Sequence, residues 1–172
     1  MPSPFLANEA QRLAVLESYK ILDTDCEQQF DRIARLASAA LQCPISLVSF
    51  VDRDRQWFKA HLGITERQTH RDVSFCSHAI LSEEVLVVPD ATADARFAGN
   101  ALVTDGPKIR FYAGAPLITP DGFRIGTLCV IDSNTRDLLP GQRALLSDLA
   151  ALVMDALEFR HLKTAQALSV AA

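Results

Sequence analysis

Among its four cysteines the 172-residue chain has no CxxC pair, and it also lacks a long apolar run, a basic cluster and, with seven glycines, any glycine-rich stretch. Each absence excludes something. Cys26, Cys43, Cys76 and Cys129 are widely spaced, which indicates neither a disulfide framework nor a zinc knuckle, so they read as free thiols in a reducing cytosol. Spanning a bilayer takes about 20 consecutive apolar residues, and no such run is present. The opening Met1-Pro2-Ser3-Pro4 lacks the basic segment and apolar run of an export signal. A cytoplasmic protein with no membrane partner is expected. Lys and Arg number 17 against 21 Asp and Glu, a formal charge of −4, and the cations are scattered. A nucleic-acid backbone is therefore not an expected partner.

What is present suits a single domain, 1–172, with 49% hydrophobic and 22% charged residues, enough for a full core. A peripheral helix is expected over 8–22, from Asn8 and Gln11 as a capping box and from Ala10, Leu13 and Leu16 at helical spacing. A core follows over 24–164, and 165–172 reads as a fraying tail. Thr24 with Glu27 resembles a second capping box. It leads into Phe30, Ile33, Ala34, Ala37, Ala40 and Leu41 at three- and four-residue spacing, stopped by Pro44.

Ile45 to Val51 is apolar on both faces, as in an internal strand. Trp57 to Leu62 alternates Phe58, Ala60 and Leu62 with Lys59 and His61, which predicts a half-buried antiparallel partner strand. A polar loop runs from Gly63 to Arg71, and Ser74 can cap a short helix to Leu81. Val85 to Val88 reads as a short strand. The polar segment from Asp90 to Pro107 is too long for a simple connection and reads as a lid. Phe111 to Ile118 and Arg124 to Ile131 form a hairpin through Thr119-Pro120-Asp121-Gly122. A last helix, from Pro140 to about Thr164, carries one seam of Leu145, Leu149, Leu152, Ala156 and Phe159. A second seam holds Leu146, Ala150, Val153 and Leu157. One seam can cover the sheet while the other meets a second copy; a single wide core-facing stripe explains the pattern equally.

The chain resembles a GAF domain, in particular the bacterial modules that precede diguanylate cyclase or histidine kinase domains. The resemblance rests on Tyr19-Lys20-Ile21-Leu22-Asp23-Thr24, Asp52-Arg53-Asp54-Arg55-Gln56-Trp57-Phe58 and Ser74-Phe75-Cys76-Ser77-His78-Ala79-Ile80. Asp94-Ala95-Arg96-Phe97 with Asn100, Arg110-Phe111-Tyr112-Ala113-Gly114-Ala115-Pro116-Leu117 and Gly126-Thr127-Leu128-Cys129-Val130-Ile131-Asp132 extend it. It implies an α+β fold: an antiparallel sheet of about six strands, with the terminal helices bundled on one face. On the other face, a short helix and a lid cover a pocket used for cyclic nucleotides, tetrapyrroles or other small molecules.

The residues expected to line that pocket are Phe75, Cys76, His78, Phe97, Asn100, Arg110 and Tyr112, with Asp94 and Arg96 on the lid. Each has a plainer reading. Cys76 and His78, two apart on a helix, do not share a face and recruit no further metal ligands; Cys76 is more simply a core thiol. The phenylalanines are more simply core, although Phe75, Phe97, Phe111 and Tyr112 could stack on a planar ring. The small residues Ala113, Gly114 and Ala115 admit either a ligand or a closely packed helix. Arg96 or Arg110 could hold a carboxylate or phosphate; an ion pair such as Asp94 with Arg110, tying the lid to the sheet, explains them too. Arg71-Asp72 and Trp57 read as structural.

The expected function is that of a sensory module without catalysis, requiring no cofactor, binding a cyclic nucleotide or another small ligand and dimerising through its terminal helices. A kinase or cyclase output partner is expected, in trans or in a longer chain, because no output segment follows the last helix. The alternatives are a dimerisation scaffold with a filled pocket and, less favoured, an enzyme like the GAF branch that reduces free methionine sulfoxide. The lid has no cysteine for the latter, and Cys76 and Cys129 would have to lie within disulfide reach.

Overall fold

A computed structural model describes residues 4–170. In chain order the elements are α1 (Glu9–Ser18), α2 (Gln28–Leu41), β1 (Ile45–Val51), β2 (Arg55–Leu62), β3 (Gln68–His70), α3 (Cys76–Ala79), β4 (Leu86–Val88), α4 (Ala101–Thr104), β5 (Phe111–Ile118), β6 (Arg124–Asp132) and α5 (Pro140–Val170). The six strands form one antiparallel sheet in the order β3-β2-β1-β6-β5-β4. The two long apolar strands β1 and β6 are therefore central, as their burial on both faces requires.

Each face of the sheet has its own core. Against one face pack Leu16 of α1, Phe30, Ala37 and Leu41 of α2, and Leu146, Val153 and Leu157 of α5, meeting Val48, Phe50, Trp57, Leu117 and Leu128. Full burial of a side chain of this kind stabilises by about 1.5–3 kcal/mol. The other face carries Leu47, Phe58, Phe75, Cys76, Ile80, Phe97, Tyr112 and Cys129, roofed by α3 and the segment around α4. At the centre Gly126 is required, because a Cβ there would meet the Ser49 carbonyl oxygen at 2.0 Å.

Several boundaries differ from the sequence expectation. β3, three residues long and paired with Arg55 to Trp57, lies inside the segment read as loop. The first helix is Glu9–Ser18, and Asn8 makes no side-chain cap bond. Thr24 does not cap α2; its hydroxyl donates to Ile21 O and accepts from Lys59. The expected tail is helical as far as Val170, and residues 171 and 172 lie outside the described residues.

β2 is not half-buried. Val48 pairs with Ala60 and Ser49 with Phe58, so Lys59 is an extra residue in a β-bulge. The bulge turns Lys59 toward the helices, where it is fully buried, and Nζ donates to Thr24 Oγ1, Asp25 O and Glu27 Oε1. A strict alternation cannot reveal an inserted residue.

Candidate functional site

The lid face is built on β5 and β6. Tyr112 and Gly114 lie two apart on β5, and a Cβ on Gly114 would meet Tyr112 Oη at 2.2 Å. The missing side chain thus makes room for the Tyr112 ring, which fills the space above Gly114, while Ala113 and Ala115 face the helices on the other side of the sheet. From there Tyr112 Oη reaches Cys76 Sγ at 3.4 Å. Phe75 stacks on Phe97 with centroids 4.0 Å apart and tilts against Tyr112 at 5.2 Å, while the His78 ring meets the edge of Phe97 at 4.8 Å.

α3 is positioned by Ser74, whose hydroxyl accepts from Ser77 N and donates to Gln56 Oε1. Gln56 in turn donates to Thr69 Oγ1 of the segment that forms β3. Just before α3, the buried Arg71 donates to Glu9 Oε1 at 2.6 Å and to Asp52 O at 2.9 Å. Arg12 also grips the Glu9 carboxylate, through Nε and Nη2. Burial alone would raise the Glu9 carboxyl, but these two guanidinium groups outweigh it and hold it at about 2.

The lid is latched at both ends of α4. Asn100 Oδ1 accepts from Leu102 N, and Asn100 Nδ2 donates to Val73 O at 3.1 Å. Arg110 Nη1 donates to Val103 O and Ile109 O. Arg110 is therefore not the partner of Asp94: that carboxylate is gripped by the Nε and Nη2 of Arg96, two residues away on the same turn. The Arg96 hydrogen bonds pull the Asp94 carboxyl below its ordinary value. Burial, and then the nearby Arg96 charge, pull His78 down, which favours a neutral imidazole at neutral pH.

Two clefts flank α4. One, of about 620 Å³, is lined by Val73, His78, Arg96, Gly99 and Asn100. The other, of about 450 Å³, is lined by Ile45, Leu47, Phe58, Ile64, Leu102, Ile109 and Ile131, with Gln56, Glu66 and Thr69 as its polar groups. Of the expected site residues, His78, Arg96 and Asn100 share the first cleft. Phe75, Cys76, Phe97 and Tyr112 come together in the buried floor behind it, and Arg110 and Asp94 make the lid bonds just described. Sequence reasoning passed over the second cleft. Its Leu47 and Ile131 sit in the largely apolar strands β1 and β6, where composition hides which face each side chain takes; the polar Gln56, just ahead of Phe58 in β2, was the available signal.

A GAF domain family model matches residues 25–157. The chain belongs to the GAF domain family. A cyclic di-GMP phosphodiesterase of Pseudomonas aeruginosa is 43% identical over 152 residues, covering 88% of this GAF domain's chain but 26% of the relative, so the chain spans about a quarter of that protein's length. Among solved structures, the GAF domain of an Acinetobacter phosphoenolpyruvate-protein phosphotransferase superposes with a TM-score of 0.64 at 15% identity, covering 90% of this chain and 97% of that one. A free methionine-R-sulfoxide reductase of Neisseria meningitidis superposes with a TM-score of 0.60 at 19% identity, covering 95% and 97%. At such identities the likeness is one of fold. No helix among the described residues is long and apolar enough to cross a membrane.

Proposed function

We propose that this GAF domain is a small-molecule-binding regulatory module, without catalysis of its own, that reports occupancy through α5 to a partner or an adjoining output domain. The observation that carries this reading is the 450 Å³ cleft between α4 and the strands β1, β2 and β3. A mostly apolar wall with a few placed polar groups is the usual character of a small-ligand site. The ligand class it fits is compact and largely uncharged, oriented by Gln56, Thr69 and Glu66. Arg96 commits Nε and Nη2 to Asp94 and Arg110 commits Nη1 to the Val103 and Ile109 carbonyls, which leaves neither a free two-nitrogen edge facing this cleft and disfavours a phosphate as its main anchor. His78, Arg96 and Asn100 offer a second, more polar subsite across α4.

The cleft adjoins a path to the output helix. Gln56 and Phe58 line it; Lys59, the bulge residue beside Phe58, donates to Glu27, and Glu27 accepts from Arg160 of α5. A ligand that prefers one position of β2 or of the lid shifts α5 by its difference in affinity between the two states, and by no more. Outward from the core, Leu145, Leu152, Phe159 and Leu162 form an exposed seam on α5 suited to a second copy in a homodimer, in a cytoplasmic setting. The phosphodiesterase relative makes cyclic di-GMP turnover a fitting output in a longer protein.

The second reading, a dimerisation module with a filled pocket, is favoured by the way Phe75, Phe97 and Tyr112 occupy the interior themselves. Native mass spectrometry beside the denatured mass separates the two. Retained non-covalent mass that Leu102→Trp removes supports the sensor; a ligand-free dimer that binds nothing in a metabolite screen supports the scaffold.

A further inference from the structure

Cys76 opens α3 and Cys129 lies in the middle of β6, and their Sγ atoms are 4.0 Å apart. Both are buried. Their setting is not apolar. Thr127 Oγ1 donates to Cys76 Sγ at 3.1 Å and Tyr112 Oη does so at 3.4 Å, and the Cys76 and Cys129 sulfurs are themselves within hydrogen-bonding reach, so the two thiols can share a proton. A sulfur that gathers hydrogen-bond donors is favoured as a thiolate, whereas a thiol among hydrocarbon groups is inert. The other two cysteines differ: Cys26 is exposed, and Cys43 faces Arg136 and the Leu41 carbonyl on the opposite side of the sheet. Ligand binding in the clefts beside α4 makes no use of this pair.

We propose that Cys76 and Cys129 are a reversible dithiol–disulfide pair whose substrate is a small hydroperoxide, with Cys76 as the attacking sulfur and Cys129 as the resolving one. The Cys76 thiolate attacks one peroxide oxygen and the O–O bond breaks. The leaving oxygen takes a proton, as water or an alcohol, and Cys76 becomes a sulfenic acid. Cys129 gives up its proton and attacks the Cys76 sulfur; the S–S bond forms and the sulfenic hydroxyl leaves with that proton as water. Two thiols are oxidised by two electrons and one hydroperoxide is reduced. A small dithiol reverses the change.

Cys76 is the better nucleophile, because hydrogen bonds from Cys129, Thr127 and Tyr112 pull its pKa down. The shared proton and burial push Cys129 up, and burial keeps Tyr112 a protonated donor. The roof over the sulfurs is the Phe75 and Phe97 stack, and Phe97 rides on the lid that Asn100 latches to Val73 O. A neutral oxidant of two heavy atoms needs only a brief lifting of that lid. Closing the sulfurs from 4.0 Å to bonding distance draws α3 toward β6 and moves the floor of the lid face, which makes oxidation a second input to the module.

The test uses the reduced chain carrying Cys26→Ser, treated with hydrogen peroxide and then alkylated in denaturant. The expected result is two fewer alkylated thiols, their return after dithiothreitol, and a digest peptide pair joining Cys76 to Cys129. In Cys129→Ser, dimedone should then label Cys76; in Cys76→Ser, Cys129 should stay reduced. Full alkylation after peroxide, or oxidation confined to Cys43, overturns the proposal. The linkage is read in a chain that keeps both sulfurs, so it does not depend on the folding of the last two variants. It is also independent of whether the clefts bind a ligand.

Discussion

Lys59 of the sheet and Arg160 of the terminal helix donate to the same atom, Glu27 Oε1, at 2.8 and 2.7 Å. Arg160 also donates to the carbonyls of Tyr19 and Lys20, so one guanidinium ties α5 to the link between the first two helices. A buried cation held by a shared carboxylate is a joint that strongly resists being separated.

That joint sets an asymmetry in stability. Glu27→Ala strands the charge of the fully buried Lys59 and should lower stability by about 2–3 kcal/mol, less than for a wholly buried pair because Glu27 is 30% exposed. Lys59→Met removes the charge along with its need for a partner and should cost under about 1.5 kcal/mol. Urea denaturation of both variants checks the order. A larger loss for Lys59→Met would contradict it.

Acid should unfold the protein in part through Glu9. Its folded value of about 2 lies below the ordinary 4.5, so its contribution is fully present above pH 4.5 and is lost as pH falls toward 2. Glu9→Gln should flatten the stability curve across that window and lower the plateau above it. Denaturant midpoints measured from pH 2 to pH 7 give both quantities.

Gly114→Ala should destabilise by about 1–3 kcal/mol, the range for overpacking, because the new Cβ falls on the Tyr112 ring. In a Tyr112→Ala background the same change should be close to neutral. A double-mutant cycle that showed equal costs in the two backgrounds would place the strain elsewhere.

Leu152→Glu should convert a dimer to a monomer with little effect on the stability of the monomer itself, since Leu152 is 49% exposed on the single chain. Sedimentation equilibrium reads the mass. Val153→Glu, one residue on, faces the sheet core and should prevent folding instead.

Long periodic elements were legible in the sequence. α2, β1 and the β5–β6 hairpin lie where apolar spacing and turn residues put them. Of the two seams on α5, Leu146, Ala150, Val153 and Leu157 are buried; the other is split, with Leu149 buried and Ala156 half-buried but Leu145, Leu152 and Phe159 exposed. β3 was hidden because three polar residues at an edge carry no periodicity. The Lys59 bulge was hidden because register is fixed by pairing between strands rather than within one. At the lid face the motif residues did assemble, yet most of them pack on each other. The 450 Å³ cleft draws its wall from five separate stretches of chain, and that convergence exists only after the sheet has formed.

The exposed seam of α5 has a geometric consequence. Leu145, Leu152 and Phe159 recur every seven residues, whereas a straight α-helix drifts by about 20° per heptad from such a repeat. The opposite flank is fixed to a twisted sheet as far as Leu157, so the seam winds slowly around the helix as it leaves the core. Two copies that keep this seam in contact must therefore wrap around each other with a left-handed supercoil. In such a pair, a small roll of α5 at Arg160 becomes a change in how tightly the two helices are wound.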